Sequence, residues 1–518
     1  MTRVVLFLIL LFFFSPLNAN PTDAVTGYID AVKVGDFTIA QTYWDESYIK
    51  ASAKLGIEYR DVRLKYDCAS PISQNLEAIQ SGMCQVYSSL VLQQDSTAKV
   101  TVHLISPSDS ADFTYLCCLI DGDWKITSPY YYKIKDMPVR QTKYCRIYYS
   151  DETLLNSYAC MQIDRFIEAT AKSLGVSFEK LNILSSVGIT YLLLPDVDVM
   201  ELVGYPTKGM YDVPSDAIIT SRLPHNHELT HLLVNYAQEN PSLFTSPFMQ
   251  EGVACYFGGR WGRSSRIINY IGYVNLQFKL AGPEDILTYD GFHNKIGNAD
   301  ISYPISSLFV GYLVQTLDRE SFLSLYDDFS GTGEGVKKLS LSNAKKLITE
   351  KTGLDWNVIS SRFERRWQRY FRCGIVPFET QLSADSAAVS VNDTINYSIW
   401  DVGNTYLIEV DLSKAPKGGV LLLSNDSTAA HDLYSSFLFN EQLPERAFLH
   451  QRFGLKITPS EIGIYDYFTN ELLASFVYGF ELDYSPDNAA SNIYRFRINK
   501  IIFGIEDLLD YKMTIVAL

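Results

Sequence analysis

The spacing of apolar residues changes character along the chain, and each change predicts a different kind of element. Val4 to Phe14 is an unbroken apolar run of eleven residues behind Arg3, followed by Ser15-Pro16-Leu17-Asn18-Ala19. A basic start, a short apolar run and a small residue at its end predict a secretory leader over residues 1–19, too short to span a bilayer. From Ala24 to about Met137 the pattern predicts one helix, Ala24 to Trp44, and then several strands. The last two, Thr114 to Ile120 and Asp123 to Pro129, flank Asp121-Gly122, a pair that favours the tight turn of a hairpin. Between about Val139 and Cys373, strand-like runs at Ile147 to Tyr149, Gly188 to Leu194 and Ala217 to Thr220 alternate with helical periodicity. The helices are Asn156 to Leu174, Ser306 to Leu317, Glu320 to Phe329, Asn343 to Thr352 and Trp356 to Phe371. Beyond Ile375, short β-branched and aromatic runs (Tyr406 to Val410, Gly419 to Leu423, Ser475 to Tyr484, Ile493 to Phe503) recur between turn residues and predict a β-sandwich-like module. The predicted class is α+β and multidomain: a leader at 1–19, a small α+β block at 24–137, a mainly helical block with a small mixed sheet at 139–373, and a β-rich block at 375–518.

Composition narrows the classes. The 518 residues are 47% hydrophobic and 20% charged, with a formal net charge of −15. That composition fits a globular protein, and the acidic balance argues against a nucleic-acid partner. Arg362 to Arg372 is rich in arginine, but Phe363, Trp367, Tyr370 and Phe371 recur at helical spacing, which predicts a core-packing face with solvated arginines opposite. No stretch after the leader reaches the apolar length of a membrane span, so the mature chain is expected without a transmembrane segment and exported to the periplasm, cell surface or medium. Export permits disulfides and, at Asn392, Asn396 and Asn425, glycosylation; eight cysteines leave the pairing open. Cys117 and Cys118 fall next to each other in a strand-like run and are expected to face different environments.

The chemistry gathers around residue 228. The segment Pro224-His225-Asn226-His227-Glu228-Leu229-Thr230-His231 contains two histidines four apart. On a helix, such residues project from one face a turn apart, so both imidazoles reach one metal ion, with Glu228 beside them to take a proton from a metal-activated water. Leu229, Leu232, Leu233 and Tyr236 supply the buried face of that helix. Catalytic zinc needs three protein ligands and an open fourth position. Glu251, in Phe248-Met249-Gln250-Glu251-Gly252-Val253-Ala254-Cys255-Tyr256, follows His231 by 20 residues, and a second helix returns it to the metal.

These two motifs together resemble the gluzincin metallopeptidases, the thermolysin and aminopeptidase N-like (peptidase MA-like) superfamily. His-Glu-Leu-Thr-His at 227–231 is the pentapeptide of the thermolysin group, and Glu251-Gly252-Val253-Ala254-Cys255-Tyr256 is closer to the aminopeptidase-like members. Metzincins require a glycine and a third histidine where Leu232-Leu233-Val234-Asn235 stands. Cys255 replaces the aspartate of the thermolysin continuation, and Asn235 is expected to accept an Nδ1–H bond from a ligand histidine. The resemblance also implies a tyrosine that opens a later helix and donates to the oxyanion. Tyr303-Pro304-Ile305-Ser306-Ser307-Leu308-Phe309-Val310-Gly311-Tyr312-Leu313 matches that pattern, with Ser306 in place of the usual glycine. His293 and His225 are weaker candidates for the same role, His225 being expected partly exposed at the helix start. In the first block, Asp121-Gly122-Asp123-Trp124-Lys125-Ile126 after a helix and several strands resembles the cone of the nuclear-transport-factor-like superfamily, for which a structural or docking role is expected.

The expected function is therefore an exported zinc-dependent peptidase acting on peptide or protein substrates. His227, His231 and Glu251 hold Zn2+, Glu228 is the general base and Tyr303 the oxyanion donor. The alternative is an inactive zincin-fold protein acting as an extracellular binding or assembly module, docking a surface or partner through its flanking blocks. Gly209-Met210-Tyr211-Asp212 is too loose a match to the amine-gripping strand of an aminopeptidase, which favours an endopeptidase.

Overall fold

The computed structural model describes residues 20–106, 110–155, 157–277, 279–331 and 336–371, and beyond them the strands of two further sheets. The expected leader at residues 1–19, Cys373 and the sequon asparagines Asn392 and Asn425 lie outside the described residues.

The first block is built on an antiparallel sheet in the order β1-β2-β3-β4, with β1 Gln85–Gln93, β2 Thr97–Ile105, β3 Ser110–Ile120 and β4 Asp123–Thr127. The expected hairpin closes at Asp121 (φ 52°) and Gly122 (φ 87°), the left-handed pair that a two-residue turn matched to strand twist requires. β4 stops at Thr127 because Pro129 opens a short helix, Pro129–Ile134. Ala98, Val100, Val102 and Leu104 alternate inward from β2 to meet Ala24, Tyr28 and Val32. The single expected helix is two, Pro21–Lys33 and Phe37–Thr42: Gly35 (φ 75°) turns the chain, and the Asp36 side chain accepts from the Ile39 amide at 3.0 Å to start the second.

The second sheet is mixed, in the order β5-β6-β7-β9-β8: β5 Val139–Gln141, β6 Cys145–Tyr149, β7 Ile189–Leu193, β8 Gly209–Asp212, β9 Ala217–Thr220. β6, β7 and β9 run parallel, while β5 and β8 are antiparallel edges. Every residue of β7 is buried, as expected of a parallel strand covered on both faces. Those faces serve two cores. Ile189, Tyr191 and Leu193 pack with the helices that follow, whereas Leu192, Leu194, Ala217 and Ile219 join the core of the first sheet. In return, Leu55, Ile57 and Tyr59 of the first block enter the helical core.

Among the described residues, nine helices of ten or more residues complete this core: Ser157–Leu174, Phe178–Val187, Asn226–Ala237, Pro247–Gly258, Ser265–Gln277, Ala299–Thr316, Arg319–Asp328, Leu341–Thr352 and Trp356–Phe371. Ala299–Thr316 begins seven residues before the expected start and runs through Pro304. The carbonyl that proline leaves unpaired, that of Asp300, accepts instead from the Asn275 side chain at 2.9 Å. In Trp356–Phe371, Phe363 and Trp367 are buried, with Phe363 edge-on to Phe309, while Arg362, Arg365 and Arg366 are exposed, as their spacing predicts.

The C-terminal strands form two five-stranded antiparallel sheets. One orders Ala388–Ser390, Asn396–Val402, Thr405–Asp411, Ile493–Asn499 and Leu482–Ser485; the other Glu471–Ser475, Ile462–Asp466, Gln451–Ile457, Gly419–Ser424 and Lys512–Ala517. The expected single run Ser475 to Tyr484 is split between them. Ser475 pairs with Gly463 in one sheet and Leu482 with Ile498 in the other.

All seven described cysteines are buried free thiols. Cys117 lies beneath the first helix, its thiol 3.9 Å from the Pro21 carbonyl, and Cys118 faces the side of Lys135 and Asp45. Among the described residues no helix is long and apolar enough to cross a membrane.

Candidate metal centre

Asn226–Ala237 carries His227, Glu228 and His231, and its buried face is the predicted one, with Leu229, Leu232, Leu233 and Tyr236 inside. Pro247–Gly258, started by a proline at its first position, carries Glu251. A methyl group on Gly252 would lie 2.7 Å from Val310 Cγ2 and 2.9 Å from the Ser306 carbonyl, so the glycine lets this helix lie against the one bearing Tyr303.

The three candidate ligands converge, their donor atoms all within 4.8 Å of one another. Glu251 Oε2 is 3.2 Å from His227 Nε2 and 3.8 Å from His231 Nε2. Two donors bound tetrahedrally to zinc at their usual lengths stand about 3.4 Å apart, so this spacing fits one ion. The His227 and His231 rings cross at 86°. His227 Nδ1 donates to the Gly259 carbonyl at 2.8 Å, which leaves the Nε2 lone pair facing Glu251 and the shared point. Cys255, standing where the thermolysin pattern has an aspartate, places its sulfur 3.9 Å from the same Nδ1.

Charge is distributed unevenly over the centre. Burial pushes Glu251 up, but the His227 hydrogen bond and the charges of His231, His227 and Arg260 outweigh it and hold the carboxyl at about 2, so it is an anion. Burial lowers His231, favouring the neutral imidazole a metal needs. Burial also raises Glu228 above the ordinary carboxylate range, against the opposing pull of His231, and a carboxylate poised upward is suited to accept a proton. Glu228 Oε2 accepts the Tyr211 amide of edge strand β8 at 2.8 Å. Burial and the nearby Glu251 charge keep the Tyr303 phenol protonated, so it remains a donor.

Two expectations about supporting residues are corrected. The Asn235 side chain does not steady a ligand histidine; its amide nitrogen donates to the Tyr59 hydroxyl of the first block at 3.2 Å, and the Gly259 carbonyl has taken the role expected of it. His225 is partly exposed at the start of the helix, as expected, with Nδ1 2.7 Å from Thr220 Oγ1 and Nε2 3.9 Å from Glu228 Oε1. Tyr303 does not open a helix but sits five residues into one, a consequence of the Asn275 contact beneath Pro304. His293 is exposed and packs on the Tyr289 ring.

Three further residues at the site escape motif reasoning. Arg260 sets Nη1 3.3 Å from Glu251 Oε2 and its guanidinium 3.4 Å from the Tyr303 ring centroid. Gly258-Gly259, ending the Glu251 helix, was the one sequence signal of the turn that returns it. Tyr205 is about half exposed, and its phenol is raised by partial burial and then by the charges of Glu228 and Glu251. Tyr211 belongs to the loose Gly-Met-Tyr-Asp match, yet its amide holds Glu228 and its hydroxyl joins Tyr59 at 2.7 Å and Asp216 at 2.7 Å. Lys65, 2.5 Å from Asp216, ties this network to the first block. Elsewhere, Ser89, His103 and Asp112 line up across β1, β2 and β3 at 3.0 and 2.8 Å. They stand on the sheet face, among exposed and half-buried residues.

Compared with models of protein families, with curated proteins and with solved structures, the chain matches none.

Proposed function

We propose that the chain is an exported zinc-dependent peptidase of gluzincin type, its metal block flanked by a nuclear-transport-factor-like cone and a β-rich C-terminal module. The observation that carries the reading is the convergence of two imidazoles and an ionised carboxylate on one point, next to a second carboxylate that is not needed as a ligand. Two nitrogens and one oxygen are the donor set of a zinc site with an open position.

A zinc ion held by His227, His231 and Glu251 would supply Lewis acidity, polarising a peptide carbonyl and lowering the pKa of water towards about 7. Glu228 takes the proton of the attacking water and passes it to the leaving amine, with Tyr211 fixing one carboxylate oxygen so that the other faces the reaction. Tyr303 donates its O–H to the carbonyl oxygen as that atom gains charge. Neutral His225 beside Glu228 adds no competing positive charge, because burial keeps it well below its ordinary range.

The test is Glu228→Gln. The variant should retain one zinc per chain by metal analysis and lose turnover of a mixed peptide library by a factor on the order of 10²–10⁴. Wild-type protein that binds zinc without turning over any peptide would move the assignment to a non-catalytic binding module.

A further inference from the structure

Arg260 is held by more than its contact to Glu251. Arg260 and Arg263 close a two-residue turn, with Arg260 N to Arg263 O at 3.1 Å and Arg263 N to Arg260 O at 2.9 Å. Both central residues are left-handed, Trp261 at φ 55° and Gly262 at φ 75°. Gly262 adopts that conformation freely, but tryptophan does so against a steric cost that asparagine or glycine would avoid. The result of tolerating it is a clamp. The guanidinium lies 5.1 Å from the Trp261 ring centroid and 3.4 Å from that of Tyr303, so two aromatic rings stand against it and its N–H edge is what remains for polar contacts.

That edge is only partly used, although Cys255 and Tyr303 stand within hydrogen-bonding reach of it besides Glu251. An arginine presents five N–H donors in a fixed fork. Nη1 reaches Glu251 at a long 3.3 Å, and Nε is buried without a hydrogen-bond partner. A buried donor of this kind is costly unless something meets it. Glu251 is also a ligand of the proposed metal, and a carboxylate committed to a cation is a poorer acceptor for a second one. With a divalent ion held, Glu228 and Glu251 ionised and Arg260 charged, the centre carries a surplus of about one positive charge. The chain as a whole is strongly acidic, at −15, so the cleft is a local exception.

We propose that Arg260 is the anion-recognition residue of this cleft, receiving a substrate carboxylate in its guanidinium fork and so directing the proposed peptidase to peptides that carry one. This rests on the peptidase reading above. The carboxylate comes from a peptide C-terminus or from an acidic side chain, and the fork binds either as a parallel pair of charge-assisted hydrogen bonds.

The experiment measures binding without turnover. Zinc-loaded Glu228→Gln protein is titrated by fluorescence anisotropy with three dansylated pentapeptides: Ala-Ala-Phe-Leu-Ala with a free C-terminus, its C-terminal amide, and the amide with Leu replaced by Glu. At least one carboxylate peptide binds about tenfold or more tightly than the neutral amide. Arg260→Gln in the same background abolishes that preference, and Arg260→Lys, which keeps the charge and loses the fork, retains only part of it. Zinc content and thermal midpoint are recorded for each variant, and Arg260→Lys carries the test if Arg260→Gln does not fold. Equal binding of all three peptides, no binding of any, or a preference that survives both substitutions overturns the proposal. If the wild type cleaves the neutral amide as well as the others, the peptidase reading stands and this one falls. If Arg260-dependent carboxylate binding persists while wild type cleaves nothing, the reverse holds.

Discussion

Two recessed carboxylates in this protein are displaced in opposite directions, and their surroundings explain why. Glu251 is held at about 2, with His227, His231 and Arg260 around it. Asp67, in the first block, is pushed up to about 6 by burial, although Tyr28, Tyr115 and Ser70 donate to it at 2.6, 2.8 and 2.7 Å. Three neutral hydroxyls thus compensate desolvation only in part, whereas imidazoles and a guanidinium reverse it. The first arrangement suits a carboxyl that retains a proton and knits a core; the second suits an anion ready for a cation.

The comparison is broken most severely by removing a donor from the Glu251 cluster. His231→Ala should abolish stoichiometric zinc and lower the proposed activity by roughly 10³-fold or more, because two remaining donors do not make a catalytic site. Metal analysis and a peptide assay on the same preparation read both effects. Folding should be retained, since His231 lies outside the helix's apolar face.

The next effect separates the two carboxylates by pH. Asp67 binds its proton more tightly folded than unfolded, so its contribution is complete below about pH 4 and is lost as pH rises through about 6, on the order of 3 kcal/mol in all. Glu251 in metal-free protein works the other way: its contribution is present above the ordinary carboxylate range and is lost as pH falls towards 2. Denaturant midpoints measured between pH 4 and 7 should show the Asp67 slope in the wild type and a flatter line in Asp67→Asn. An unchanged slope in the variant would remove Asp67 as its source.

Packing changes should be smaller. Gly252→Ala forces the Glu251 helix away from Ser306 and Val310, costing about 1–3 kcal/mol and weakening zinc affinity as Glu251 shifts. Thermal unfolding and a zinc titration measure the two consequences. Smallest is Asn275→Ala, which leaves the Asp300 carbonyl without the side chain that answers Pro304, at about 1–2 kcal/mol. Its specific signature is loss of order at Tyr303, read as faster hydrogen exchange in the first turns of that helix.

The sequence carried the centre of the site well because helix periodicity alone fixes it: residues four apart share a face, and His227, Glu228 and His231 need no tertiary information to be set side by side. Glu251 was legible through its own motif, and β7 and β9 through their apolar runs. What was not legible depends on contacts between distant segments. Pro304 reads as a helix boundary unless Asn275, on another helix, is known to lie beneath it. Tyr211 reaches Glu228 through a backbone amide, which no side-chain pattern encodes, and Arg260 returns to Glu251 through a turn built around a strained tryptophan. Residues 475 to 484 read as one strand because apolar continuity does not say which of two sheets a segment joins.

The most direct test of the central claim is zinc content, measured by mass spectrometry on full-length protein purified without added metal, for wild type and for His227→Ala, His231→Ala and Glu251→Ala. The account predicts one zinc per wild-type chain, with each variant folded and depleted of it. Zinc-free wild type that takes up no ion on dialysis against zinc, or variants that bind it as fully as the wild type, would contradict it.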